Sequence, residues 1–150
     1  MNGRSTQLYF PGLAGFYASA IDFGYLVLRV VIGIILFVHG FGKLKTGVAG
    51  IAAYMAKNGL EPGMAFAVAA MFLETVGAAC VAIGLFTRFF AAALAIEMLT
   101  AFLVIHLPKG FAVGSGGYEY VLLIGVVLFS IALRGGGRYS VDQIMVGKEL

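Results

Sequence analysis

Four long apolar runs, each closed by glycine, proline or a basic residue, fill most of this sequence. They cover about 23–41, 65–86, 88–105 and 118–133. A helix needs about 20 apolar residues to cross a bilayer, so each run is a candidate span. The predicted fold class is all-α: an integral membrane four-helix bundle with a short interfacial helix between spans one and two. Composition agrees. Of 150 residues, 61% are hydrophobic and 11% charged, whereas a soluble domain carries roughly 25% charged residues. Little is left for a domain in water.

Local signals mark the connections. Residues 1–22 read as an interfacial N-terminal segment, with Tyr9, Phe10, Phe16 and Tyr17 suited to the headgroup level. After the first span, Thr46 is a candidate N-cap for a helix over 47–57, too short to cross, and Asn58-Gly59 offers a left-handed stop. Pro62 fits the first turn of span two, and Thr87 is placed to cap span three. Pro108 and Gly110 end that span, and a loop over 107–117 leads into the fourth. The membrane domain thus occupies 23–134. Gly135-Gly136-Gly137 stops it, and the tail, 135–150, holds a short helix with the S-x-x-Q capping spacing from Ser140 to Gln143.

Several function classes are disfavoured. The net charge is +3, but the basic residues are scattered around the runs and form no stripe for nucleic acid. They set orientation instead. Arg4, Arg88, Arg134, Arg138 and Lys148 lie on the side of the termini, against Lys43, Lys45, Lys57 and Lys109 opposite, which predicts cytoplasmic termini in a multi-pass protein of the cell membrane. Cys80 is the only cysteine, so no disulfide or C-x-x-C pair forms within the chain. No cleavable signal peptide is expected, since the first run holds Arg29 and lacks a small-residue cleavage site. The three glycines follow a span and lack the strand–turn–helix context of a phosphate loop.

Chemistry is sought among ionisable residues inside the spans. Each costs about 2.5–3.5 kcal/mol at mid-membrane, which makes it a functional candidate by default. They are Arg29, His39, Glu74, Glu97, His106 and Glu119. A rise of about 1.5 Å per residue sorts them into two layers. Arg29, Glu74 and Glu97 are expected at one deep level, and His39, His106 and Glu119 nearer the non-terminal face. One guanidinium satisfies one carboxylate, so the second glutamate is expected to keep its proton. Such an acid pair suits proton or substrate chemistry; a structural clamp is the competing reading. In the outer layer, two histidines and a carboxylate could hold a metal, or facing histidines a haem. By ideal helix geometry, however, His106 turns away from the Glu97 face. Hydrogen-bonded interfacial histidines are the plainer reading, and no metal is assigned.

These residues sit in a recognisable order. Leu28-Arg29 through Val38-His39-Gly40-Phe41-Gly42-Lys43-Leu44 is similar to the opening signature of DoxX-like membrane proteins. So are Glu74-Thr75-Val76-Gly77, Gly84-Leu85-Phe86-Thr87-Arg88, Glu97-Met98, His106 before Gly110-Phe111, Gly117-Tyr118-Glu119-Tyr120 and Gly136-Gly137-Arg138-Tyr139-Ser140-Val141-Asp142. The resemblance covers about 24–143. It implies a four-span bundle and a subunit of a membrane redox system linked to quinone, sulfur or oxidative-stress chemistry. It names no resident cofactor; quinone would be a substrate. Implied partners are the lipid bilayer, other membrane or peripheral redox subunits, or a second copy of the chain. Two alternatives stand beside it: a non-catalytic accessory or scaffold subunit of a larger complex, and a small transporter or proton pathway.

Overall fold

The structure, a computed structural model, describes residues 9–147. Arg4 and Lys148, which entered the charge count for orientation, and the first residues of the N-terminal segment lie outside the described residues. The rest is helical. We label the helices α1 (Ala14–Thr46), α2 (Val48–Lys57), α3 (Gly63–Ile83), α4 (Thr87–Lys109), α5 (Glu119–Arg134) and α6 (Val141–Val146). Three of them, in α1, α3 and α4, are long and apolar enough to cross a membrane. The fourth apolar helix, α5, has 16 residues, a length of about 24 Å against a hydrocarbon core of about 30 Å. Helix α1 outruns the predicted first span at both ends.

Connections are short and successive helices run antiparallel. Arg88, opening α4, reaches the Leu133 carbonyl at the end of α5 at 2.6 Å, and Phe102 stacks edge-on against Tyr118 at the other end, with centroids 5.3 Å apart. Small residues set the contact between α1 and α3. A Cβ on Gly33 would stand 2.7 Å from Ala82 Cβ, and one on Gly40 would stand 2.6 Å from the Glu74 backbone. Lipid supplies no hydrophobic drive between helices, so close approach of backbones does that work. The predicted packing face of α3, Glu74, Gly77, Val81 and Gly84, is buried. Leu36, Val81, Leu94, Leu128 and Ile131 fill the core at 2% exposure or less. Ile34, Phe37, Leu123 and Phe129 point outward, as lipid-facing side chains do.

Two predicted caps are corrected. Thr46 does not cap α2; its hydroxyl donates back to Gly42 O at 3.2 Å, and Gly47 at φ +85° makes the break. Thr87 does not cap α4 either, as its hydroxyl donates to Asp142 at 3.1 Å. The amides of Phe86 and Thr87 are taken by that same carboxylate, at 2.9 and 3.1 Å. Sequence neighbours are the usual source of a helix cap; here a residue 55 positions downstream of Thr87 supplies it. Other signals hold. Gly59, Gly110 and Gly135 carry positive φ at the predicted stops, and Ser140 Oγ accepts from Gln143 N at 3.1 Å.

Candidate functional site: a lysine and two glutamates beside an internal cavity

The structure parts the deep trio. Arg29 turns to the terminal end of the bundle, where Nη1 donates to Val81 O and Ala82 O at 2.8 and 3.0 Å and Nη2 donates to Tyr139 O at 2.8 Å. Val81 lies seven residues beyond Glu74, about 10 Å along α3. The carbonyls at the end of a helix have no partner within it, and a cation is well placed to take them. Arg29 therefore ties the end of α3 to the tail segment rather than clamping Glu74. Asp142, Ser140 and Thr87 complete this junction, each buried to within 1%.

Glu74 finds another partner. Lys43, near the end of α1, places Nζ 2.5 Å from Glu74 Oε1 and 4.0 Å from Glu97 Oε1. One ammonium group thus serves two carboxyls. The Glu74 side chain is 5% exposed and that of Glu97 14%. Glu74 Oε2 and Glu97 Oε2 are buried without a hydrogen-bond partner. Lys43 had been counted only as a flanking charge. A signal for it existed: it follows His39 by four residues, on the same helix face.

A cavity of about 630 Å³ opens beside the cluster. Glu74, Glu97, Lys43, His39, His106 and Tyr120 supply its polar wall. Apolar side chains such as Leu36, Leu60, Phe66 and Ile105 supply the rest, and α2 closes one flank with Ile51, Tyr54 and Met55. A larger groove, about 820 Å³, lies between α4 and α5; apart from Arg88 its lining is apolar and it holds none of the cluster.

Two π-helical turns shape this wall. Glu74 sits in the turn Leu73–Gly77, and His106 ends the turn Phe102–His106. Such turns insert an extra residue into a helix and recur at functional sites. Nine residues of ideal helix would set His106 about half a turn from Glu97. The extra residue resets that face by about a quarter turn, and both residues line the cavity. The predicted outward-turned His106 is corrected accordingly. Its Nδ1 lies 2.7 Å from Gly116 O. Glu119 departs from the outer layer: Oε1 accepts from Val113 N at 2.7 Å and so holds the 107–117 loop. Among the described residues, no three of His, Cys, Asp and Glu come together as a metal site would require.

Antiparallel apolar helices enclosing a lysine and an acid pair define a polytopic membrane protein built around a polar centre. Its family is the DoxX family: the DoxX profile matches residues 24–107, and the chain belongs to it. The chain is 32% identical to a Bacillus subtilis protein named "Putative oxidoreductase CatD", over 85% of this chain and 90% of that one. It is 33% identical to an Escherichia coli protein named "Inner membrane protein YqjF", over 83% and 93% of the two chains. No solved structure matches.

Proposed function

We propose that this chain is a subunit of a membrane redox system and that its cavity receives the head group of a membrane quinone. The observation that carries the reading is the cavity itself: an apolar chamber inside a membrane bundle with one ammonium and two carboxyls at its wall. A quinone is an apolar molecule with two carbonyl oxygens and takes up two protons with two electrons. Lys43 supplies a hydrogen-bond donor for a carbonyl. Glu97, only loosely held by Lys43, is the group free to pass a proton. Electrons come from a partner redox subunit, membrane-bound or peripheral. The name given to the Bacillus subtilis relative supports the redox part of the reading.

On this reading α5 completes a fourth crossing, so both termini share one side. The arginines Arg88, Arg134 and Arg138 at that end favour the cytoplasm. The test is quinone-dependent dye reduction by the gently solubilised complex. Glu74→Gln is expected to lower the rate at least tenfold, as loss of a positioned acid–base group does. An unchanged rate in a folded variant sinks the proposal.

A further inference from the structure

We propose that the cavity is built to hold the reduced, hydroquinone form of its head group more tightly than the oxidised quinone. The inference rests on the quinone reading above and concerns the site's hydrogen-bond polarity. Buried polar atoms are almost always partnered, and one left without a partner costs free energy. Here the vacancies have a common sign. Glu74 Oε2 and Glu97 Oε2 are both buried, both unpartnered and both acceptors in the ionised carboxyl. The Glu74 side chain is 95% covered and still lines the cavity.

His106 adds a third acceptor. Its Nδ1 lies 2.7 Å from Gly116 O, and a carbonyl oxygen can only accept. Nδ1 therefore carries the hydrogen, and in the neutral ring Nε2 is left as an acceptor. A proton lodged on one carboxyl would fill one vacancy and leave two. On the donor side, the Lys43 ammonium is already turned to Glu74 and faces Glu97. The hydroxyls of Tyr54 and Tyr120 can donate or accept.

A quinone carries acceptors only. Its carbonyl oxygens would meet carboxylate oxygens lone pair to lone pair, with Lys43 as the one fixed donor. A hydroquinone carries two O–H donors on a ring of the same size. It can fill the vacant acceptors and still accept from Lys43. Sites with unmet acceptors discriminate strongly against ligands that lack donors. The ligand class is a neutral aromatic diol with an apolar tail.

The test uses the full chain in lipid nanodiscs, held anaerobically, with a short-tailed benzoquinone, its hydroquinone and the dimethyl ether of that hydroquinone. The hydroquinone is expected to bind at least tenfold tighter than the other two, since the ether keeps the shape and loses both donors. The wild-type ratio needs no variant. Glu97→Gln, which replaces an acceptor oxygen with an amide, is expected to cut the preference to under threefold. Equal or tighter quinone binding, with dye reduction intact, overturns the inference and leaves the quinone reading standing. An ether that binds like the hydroquinone also overturns it. If none of the three binds, both fall.

Discussion

Arg29 and Glu74 are almost equally hidden, at 1% and 4% exposure, yet their surroundings are opposite in kind. Both terminal nitrogens of Arg29 end on carbonyls, and Asp142 beside it accepts three hydrogen bonds from Phe86 and Thr87. Glu74 has one partner for one oxygen and none for the other. The first neighbourhood packs backbone against side chain until no room is left. The second opens into about 630 Å³ of space. A charge placed in a membrane helix is costly wherever it sits, so its surroundings separate its uses. A charge whose bonds close on the protein holds the bundle together; one whose bonds stay open is available to something else.

That contrast can be broken at several points. Arg29→Met carries the largest effect. It strands the carbonyls of Val81, Ala82 and Tyr139 and leaves Asp142 without its nearby cation, for a loss of about 3–5 kcal/mol. Thermal unfolding in detergent is the measurement, and a variant as stable as wild type would remove the structural assignment of Arg29. Next is Gly84→Ala. Gly84 has φ +81°, and a Cβ there would press on the Arg29 guanidinium and stand 2.6 Å from Ser140 Cβ. Left-handed backbone and crowding together are expected to cost about 2–3 kcal/mol. Tyr25→Phe should cost about 1 kcal/mol, the worth of the hydroxyl's bond to Gly135 O. The smallest stability change belongs to Glu97→Gln, expected within about 1 kcal/mol because its one ion-pair contact is 4.0 Å long. Its quinone-dependent rate should nevertheless fall at least tenfold. If Glu97→Gln unfolds the protein while Arg29→Met does not, the division of labour is reversed.

The fold was legible because apolar runs and glycine stops are local signals. The helix ends at Gly59, Gly110 and Gly135 follow from residues within a few positions, and so does the Ser140 cap. The site was half legible. Counting charges in apolar runs picked out Glu74 and Glu97, but equal depth along straight helices paired them with Arg29. Depth fixes a level and says little about direction. Lys43 was passed over because a basic residue at the end of an apolar run usually anchors the interface. The π turns at Leu73–Gly77 and Phe102–His106 leave no mark in hydropathy, and they decide which side chains face the cavity. Asp142 as the cap of α4 was out of reach, since nothing local in the sequence ties residue 142 to residue 87.

That distant cap bears on how the protein is made. During synthesis α4 emerges and enters the membrane with its leading amides open, because the carboxylate that receives them has not yet been translated. Asp142 arrives about 55 residues later, after α5 has been threaded, and its own amide then joins Gly84 O at 2.9 Å. The last part of the chain to leave the ribosome is thus what closes a junction formed by some of the first.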